Sequence, residues 1–314
     1  MLADILKEKK CFKLVLGAGN EDVNLVVKLV ALYSKAGCNF FDIAANSDVL
    51  KAAKEGLKIA GINNDRYLCV SVGTKGDPHI NKACIDDNCT ECGQCQKICP
   101  ENAIKNYKII SKKCIGCTKC ISFCPKNAIT MQPHVRKIDE ILPPLINLGI
   151  DCIEFHAVSD DENKVMSDWQ IINSLYDGVL SICLDRFRLS DKALINRLKQ
   201  MLKIRKPYST IIQADGVSMS GGENTYRATL QTVATAELIQ NAGFEAYLLL
   251  SGGTNSKTAK LAKMCNVDYN GISVGSYARK IVREYVERDD FLSNEKVFNK
   301  AMAIAKELVS ACLI

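Results

Sequence analysis

The sequence predicts an α/β fold, a (β/α)8 TIM-like barrel with a cysteine-rich module inserted after its third strand. Eight short apolar runs alternate with amphipathic stretches, which is the element order of such a barrel. A dense group of cysteines interrupts the alternation, and the helix expected after the third strand appears only beyond it. An open doubly wound sheet is the alternative fold for the same element order.

The strand candidates are apolar and rich in β-branched residues, as strands buried on both faces of a sheet are. In chain order they are FKLVLG (12–17), NFFDIA (39–44), YLCVSVG (67–73), DCIEFHA (151–157), VLSICLD (179–185), STIIQAD (209–215), AYLLLSG (246–252) and GISVGS (271–276).

The stretches between these runs have the periodicity of amphipathic helices, and several end at glycine, a common helix stop. They cover residues 21–37, 49–61, 135–148, 191–203, 223–243, 256–265 and 294–313. We therefore predict a barrel domain of residues 1–74 plus 135–314 and an inserted domain of residues 75–134. The insertion replaces a βα loop, and such loops crown the barrel face that carries active sites.

The inserted segment contains the same cysteine motif twice. CTECGQCQKICPENAI (89–104) recurs as CIGCTKCISFCPKNAI (114–129), and both copies follow C-x2-C-x2-C-x3-C-P. This spacing is typical of ferredoxin-type proteins with two [4Fe–4S] clusters, in which the cysteine before proline ligates the other copy's cluster. Zinc also binds paired C-x2-C motifs, but it does not account for two full repeats that each end in Cys-Pro.

The motif predicts two groups of metal ligands in an electron-transfer module. Site 1 comprises Cys89, Cys92, Cys95 and Cys124, and site 2 comprises Cys99, Cys114, Cys117 and Cys120. Nearby apolar residues are expected to wrap the clusters and keep water from the sulfurs. These residues are Ile98, Ile104, Ile115, Ile121, Phe123 and Ile129. We interpret Cys84 as an unligated cysteine, with a spare ligand or a redox-active thiol as alternatives.

The chain has 314 residues, sixteen cysteines and no recognisable signal segment at its start, which favours metal binding over disulfides and a cytoplasmic location. The cysteines outside the motif lie mostly beside apolar residues, and we interpret them as small core residues. Apart from Cys84, they are Cys11, Cys38, Cys69, Cys152, Cys183, Cys265 and Cys312.

The bare chain carries a formal charge of +6. Eight thiolates on two cluster cores would lower the charge to about +2, so the basic excess does not indicate a nucleic-acid partner. The sequence also has no run of basic residues interleaved with aromatic ones. No apolar run reaches the roughly 18–20 residues of a membrane span.

Glycine-rich segments follow the last two predicted strands, where many barrels bind phosphate through backbone N–H groups and a helix start. The segments are SGGTNSKT (251–258) and VGSYARK (274–280). The candidate ligands for FMN or another phosphate-bearing molecule are Gly252, Gly253, Thr254, Gly275 and Ser276, with Arg279 as a counter-charge. The alternative is that these glycines only form tight turns and that Arg279 is solvated.

Three further polar residues lie at strand ends and are the candidate catalytic residues. Asp215 ends the sixth predicted strand, where it could bind a hydroxyl, act as a base or cap a turn. Glu154 and His156 lie two residues apart in the fourth predicted strand, and therefore on one face of it. They could form an acid–base pair or a hydrogen-bonded structural pair. Asp42 and Asp185 also lie near strand ends and carry less weight.

The chain resembles the light-dependent period protein (LdpA) family of cyanobacteria along nearly its whole length. The resemblance rests on NFFDIAANSDVLKAA, DPHINKAC, the doubled cysteine motif, DCIEFHA, IIQADGVSMSGGENTYRAT, LLLSGGTNSKTAKLA and GISVGSYARKIV, in that order. It implies an iron–sulfur protein that senses the redox state of the cell and passes it to the circadian clock. All eight cluster cysteines of the pattern are present, and no catalytic residue is implied.

Two functions from different classes follow. The first is a redox sensor in which the state of the clusters alters contacts with the barrel or with a signalling partner protein. The second is a flavin-dependent oxidoreductase in which the clusters relay electrons to a flavin bound by the glycine-rich segments. Simple electron carriage leaves the barrel without a role.

Overall fold

The computed structural model describes residues 1–62, 64–74, 80–133, 136–216 and 222–313. The strands in these ranges are β1 (Cys11–Val15), β2 (Phe40–Ala44), β3 (Tyr67–Gly73), β4 (Asn81–Ile85), β5 (Ile104–Lys105), β6 (Lys108–Ile109), β7 (Ile129–Pro133), β8 (Cys152–His156), β9 (Val179–Asp185), β10 (Thr210–Asp215), β11 (Tyr247–Ser251) and β12 (Gly271–Val274).

The helices in the same ranges are α1 (Leu2–Lys7), α2 (Val23–Lys35), α3 (Ser47–Ala60), α4 (Gln94–Ile98), α5 (Lys119–Ser122), α6 (Ile138–Leu148), α7 (Glu162–Leu175), α8 (Asp191–Leu202), α9 (Tyr226–Asn241), α10 (Thr258–Met264), α11 (Ser276–Val286) and α12 (Glu295–Cys312). A short 3-10 turn covers Ser111–Lys113.

Eight parallel strands close into a barrel in the order β1-β12-β11-β10-β9-β8-β3-β2. The ring is complete because β1 pairs with β12 on one side and with β2 on the other. Each barrel strand overlaps one of the eight predicted apolar runs, so the predicted barrel is confirmed. An open doubly wound sheet is excluded because such a sheet has two unpaired edges.

The helices pack their apolar faces on the outside of the barrel. In α2, Asp22 accepts a hydrogen bond from the backbone N–H of Leu25 and thereby caps the helix start, while Leu29 and Tyr33 point into the core. In α7, Trp169 is fully buried and its indole N–H donates to the carbonyl of Met201 at 2.9 Å. The tryptophan therefore has a packing role, which agrees with its apolar surroundings.

Helix α1 was not among the predicted elements. It covers the amino-terminal end of the barrel, where Leu2 and Leu6 pack against Cys11, Phe40 and Tyr247. Six residues are too few for a clear helical period, because the apolar pattern spans less than two turns. Closing this end leaves the opposite end of the strands as the opening of the barrel.

The cysteine motifs lie in a segment between β3 and α6 that is separate from the barrel sheet. Its outer strands β4 and β7 pair antiparallel from Asn81–Pro133 to Ile85–Ile129, so the two ends of the segment lie side by side. Strands β5 and β6 form a hairpin inside it. The predicted domain boundaries fall next to residues 75–79 and 134–135, which lie outside the described residues.

The apolar wrapping predicted for the motifs is only partly realised. Ile104, Ile115 and Ile129 are buried, whereas Phe123 has 49% of its surface exposed. Phe123 was therefore wrongly predicted as shielding, because α5 directs it away from the small cluster of apolar residues that the cysteines belong to.

Within the described ranges, no helix has both the length and the hydropathy required to span a membrane.

Candidate functional site

The structure groups the eight motif cysteines into two sets of four, each around its own cavity. The cavity of site 1 is lined by Cys89, Cys92, Cys95 and Cys124. The cavity of site 2 is lined by Cys99, Cys114, Cys117 and Cys120. This is the grouping that the motif spacing predicts, in which each proline-adjacent cysteine joins the other repeat.

Backbone N–H groups point at the sulfurs of both sites. The Ala103 N–H lies 3.2 Å from Cys99 Sγ, and the Ala128 N–H lies 3.3 Å from Cys124 Sγ. These contacts occupy equivalent positions in the two repeats. A further N–H, that of Ala83, lies 3.4 Å from Cys114 Sγ. Hydrogen bonds of this kind stabilise thiolate ligands and tune the potential of an iron–sulfur cluster.

The motif thiols of each site lie so close together that a bound cation would stabilise their thiolate forms. Burial first, and then the neighbouring Cys117, Cys114 and Cys99, raise the pKa of Cys120 to about 11. Burial also raises the pKa of Cys95 in site 1. Four thiolates close together in a buried cavity are unfavourable without positive charge between them. The donor set and the cavities therefore fit an iron–sulfur cluster at each site.

Site 1 faces solvent, and site 2 faces the barrel. Cys92 of site 1 is exposed, whereas Cys114 and Cys120 of site 2 are buried. Lys82 crosses the junction, since its ammonium group donates to the carbonyls of Gly19 at 2.5 Å and Cys114 at 2.9 Å. Gly19 follows β1 at the barrel opening, so this lysine ties site 2 to the barrel.

A buried ion pair adds a second link between the module and the barrel. Glu101 lies two residues beyond Cys99, and its carboxylate is 3.0 Å from Arg279 Nη2 and 3.4 Å from Arg283 Nη2. Glu101 and Arg279 are almost fully buried, with 8% and 5% of their side chains exposed. Arg279 also donates to the carbonyl of Val15 at 2.6 Å. The predicted counter-charge Arg279 is therefore not solvated, and it is engaged with the module.

All six predicted phosphate-binding residues line one cavity at the carboxyl end of the barrel, which we call the mouth pocket. Its volume is about 660 Å³. The residues that line it and matter here are Gly252, Gly253, Thr254, Gly275, Ser276, Arg279, Asp215 and Ile115. Ile115 also lines the cavity of site 2, so its side chain belongs to the wall between site 2 and the mouth pocket.

The backbone around the mouth pocket accounts for its glycines. Gly252 and Gly253 have φ values of +68° and +76°, which disfavour other residues. A Cβ atom on Gly252 would also overlap the carboxylate of Asp215. Ser276 begins α11 and does not lie in a turn, so the helix start points at the pocket. Thr254 donates its hydroxyl to the carbonyl of Ser273 at 2.5 Å, which leaves backbone groups as the donors to an anion.

Below the mouth pocket, the barrel interior is polar and charged. Glu154 lies at its centre and accepts hydrogen bonds from Lys13, Gln213 and Ser181. The second carboxylate oxygen of Glu154 is 3.4 Å from His156 Nε2. Glu154 and His156 are therefore brought together, as two residues of one strand face should be.

The interior charges shift one another's ionisation. Burial alone would lower the pKa of Lys13, but the Asp42 and Glu154 carboxylates raise it well above its ordinary value. Burial raises the pKa of Asp42 to about 6 against the opposing effect of Lys13. Burial would also raise the pKa of Glu154, but Lys13 and His156 hold it below its ordinary value. The two carboxylates therefore favour the charged ammonium form of Lys13.

Asp215 links the interior to the mouth pocket. It lines the pocket, and its Oδ2 is 3.4 Å from Cys183 Sγ.

Asp185 accepts from the backbone N–H groups of Phe187 and Arg188 and so caps the turn after β9. Asp185 therefore has a local structural role.

The other cysteines follow the prediction of core residues with one exception. Cys11, Cys38, Cys69, Cys152, Cys183 and Cys312 are buried. Cys265 is exposed, because it follows the end of the short helix α10, and its assignment to the core was wrong. Cys84 is also exposed and does not line either thiol cavity.

Several residues of the site were not singled out from the sequence. Lys13, Gln213 and Ser273 are polar residues in the middle of otherwise apolar strands, and this interruption is the signal that marks them. Glu101 and the role of Ile115 at the mouth pocket gave no comparable signal, because both lie within the cysteine motif and their contacts depend on how the module meets the barrel.

Comparison with known proteins gives matches in both parts of the chain. A family model described as the LdpA Fe-S cluster-binding domain matches residues 84–135, and one described as the light dependent period A C-terminal domain matches residues 145–311. The protein light dependent period A of Synechococcus elongatus is 29% identical over 294 residues, which cover 88% of this chain and 82% of that protein.

The chain also has a low similarity to solved structures. Tryptophan synthase from M. tuberculosis is 10% identical over 99% of this chain and 96% of that chain, with a TM-score of 0.49. Dihydrodipicolinate synthase from Agrobacterium tumefaciens is 11% identical over 96% of this chain and 82% of that chain, with a TM-score of 0.41.

The fold and the cysteine module together define an iron–sulfur protein built on a (β/α)8 barrel. Because the C-terminal family model covers more than half of its length, the chain belongs to the light dependent period A (LdpA) family.

Proposed function

We propose that this protein is a redox sensor that holds [4Fe–4S] clusters at site 1 and site 2 and reports their state to a protein partner. In this proposal residues 75–134 form the cluster domain, and residues 1–74 plus 135–314 form the barrel that responds. The observation that carries the proposal is the shared wall between site 2 and the mouth pocket, which Ile115 forms.

The ligand sets are supported by the two cavities with four cysteines each. A bound cluster supplies one-electron transfer at its position. The exposed Cys92 makes site 1 the entry side for electrons from a donor, and the buried Cys114 makes site 2 the side that acts on the barrel.

Glu101 and Arg279 supply the path by which site 2 acts on the barrel. Glu101 is on the Cys99 loop, and Arg279 lies on α11 beside the mouth pocket. A change of charge in the cavity of site 2 acts at close range on this buried pair, where water screens it weakly. The contact between Glu101 and Arg279 would strengthen or loosen accordingly, and α11 would pass the change to a partner.

The relative from Synechococcus elongatus is named for a light-dependent period. We extend this to the present chain as input to a circadian clock where the host has one. The partner would then be a clock or signalling protein that distinguishes the oxidised from the reduced form.

A redox titration followed by electron paramagnetic resonance tests this proposal on the anaerobically purified protein. Replacing Glu101 with Gln removes one negative charge next to site 2 and should raise the potential of that cluster by tens of millivolts. The potential of site 1 should move much less, which makes it an internal control. Equal potentials in the wild-type protein and the Glu101→Gln variant would refute the coupling.

A flavin-dependent oxidoreductase is the second candidate, because the mouth pocket combines a phosphate-type lining with direct contact to the wall of site 2. Released flavin is measured against iron in protein purified without oxygen. About one flavin beside about eight irons would establish the enzyme. Eight irons without flavin would leave the sensor as the function.

A further inference from the structure

The barrel interior contains a second group of metal-binding side chains, away from the motif cysteines. Glu154 Oε, His156 Nε2 and Cys183 Sγ all lie within 4.8 Å of one another. Their side chains are buried, with 2–5% exposed. They come from adjacent strands, since His156 on β8 is in register with Cys183 on β9.

The spacing of these atoms suits a tetrahedral ion. Glu154 Oε1 and His156 Nε2 are 3.4 Å apart, which is long for a hydrogen bond. Two ligands that are each about 2.0–2.1 Å from a tetrahedral zinc ion lie about 3.4 Å from one another. The distance is therefore the one that a shared metal ion requires.

Glu154 has one oxygen available for this role. Its Oε2 accepts from Lys13, Ser181 and Gln213, which fix the plane of the carboxylate. Its Oε1 is the atom that faces His156. The three donors behave as an outer shell that orients a metal ligand, as is usual in protein metal sites.

The charge of the interior also favours a cation. Lys13 lies near two buried carboxylates, those of Asp42 and Glu154. Asp215 adds a third carboxylate, whose Oδ2 is 3.4 Å from Cys183 Sγ. Buried carboxylates therefore lie beside the three candidate ligands, and their charge would stabilise a cation held among them.

We propose that Glu154, His156 and Cys183 bind a zinc ion in the barrel interior. The combination of thiolate, imidazole and carboxylate selects zinc over magnesium or calcium, which prefer oxygen ligands alone. Three protein ligands leave a fourth position, as in catalytic zinc sites, and Asp215 lies on the mouth-pocket side of Cys183. The site is independent of the sensor function proposed above.

The test uses the full-length protein with its iron–sulfur clusters loaded. The protein is incubated with zinc, passed through a chelating resin and analysed by mass spectrometry for zinc and iron. The wild-type protein should retain about one zinc per chain. The Cys183→Ala variant should retain at least tenfold less with unchanged iron, and the control Cys152→Ala, which removes a buried cysteine from the same barrel, should retain the wild-type amount.

X-ray absorption at the zinc edge identifies the ligands in the wild-type protein, so the test does not depend on any variant folding. The expected shell is one sulfur at about 2.3 Å with nitrogen and oxygen at about 2.0–2.2 Å. A shell of sulfur alone would mean that zinc occupies the motif cysteines, and would overturn the proposal. Absence of retained zinc in the wild-type protein would overturn it as well, as would Cys183→Ala and His156→Ala variants that each retain as much zinc as the wild-type protein.

Discussion

The cysteine module and the barrel interior both gather ligand-type side chains, but they hold them in different ways. The module's thiols lie on loops and very short helices around two cavities, with a small apolar cluster beside them. The polar groups of the interior stand on hydrogen-bonded strands and already contact one another, as Glu154 does with Lys13. The thiols of the module therefore lie mainly on loops, whereas the polar groups of the interior are held by a closed sheet.

This difference makes the junction the informative part of the molecule. The module lies against the barrel through Glu101, Lys82 and Ile115. Under the proposed function, a change of charge at site 2 would reach the barrel through these residues. Each of the following substitutions tests one side of this contrast or the junction itself.

The largest effect is expected for a ligand of site 1. Replacing Cys92 with Ser should remove about four of about eight irons, because one of two clusters loses a ligand. The barrel should keep its unfolding transition, monitored through the buried Trp169. The control is Cys84→Ser, which alters an exposed cysteine outside both cavities and should keep all iron. Full iron content in the Cys92→Ser variant would show that the ligand assignment is wrong.

The second-largest effect is expected at the junction between the cysteine module and the barrel. Replacing Glu101 with Ala leaves Arg279 buried without its carboxylate, which should cost about 3–5 kcal/mol of stability. Urea unfolding followed by circular dichroism measures the loss in anaerobic buffer. The exposed Asp87 of the same module is the control, and Asp87→Ala should change stability by less than about 0.5 kcal/mol. Equal stability of the two variants would mean that the module and the barrel are not held by this ion pair.

A substitution at Gly252 tests whether the barrel can rearrange around the mouth pocket. The Gly252→Ala variant adds a Cβ that overlaps Asp215, at a backbone φ of +68°. Gly61 has a φ of +69° with nothing within 4 Å of its Cβ position, so Gly61→Ala measures the backbone cost alone. Because the interior cannot easily rearrange, Gly252→Ala should be less stable than Gly61→Ala by about 1–3 kcal/mol. A similar loss of stability in both variants would show that the mouth pocket rearranges easily to accept the added Cβ atom.

The two regions also differ in what their sequence reveals. The strands were predictable because each is apolar on both faces, and the grouping of Cys124 with the first repeat followed from the ferredoxin spacing. The contact of Arg279 with Glu101 was not predictable, since it joins residues 178 positions apart through the docking of the module. Lys13 was also missed, because a lysine inside a strand shows its inward direction only once the register of the barrel is known.

The smallest effect is expected for the ionisation of the barrel interior. Burial raises the pKa of Asp42 from its ordinary 3.8 to about 6, so the folded chain binds a proton more tightly here than the unfolded chain does. The stability of the wild-type protein should therefore fall as the pH rises towards about 6, and level off above it. Asn at position 42 does not titrate, so the free energy of unfolding of Asp42→Asn should depend less on pH between about 4 and about 6. Urea unfolding at several pH values measures this slope, and the exposed Asp48→Asn variant should keep the wild-type slope. If Asp42→Asn also keeps it, the carboxyl group of Asp42 is already ionised at the lower pH, and the pairing with Lys13 outweighs the effect of burial.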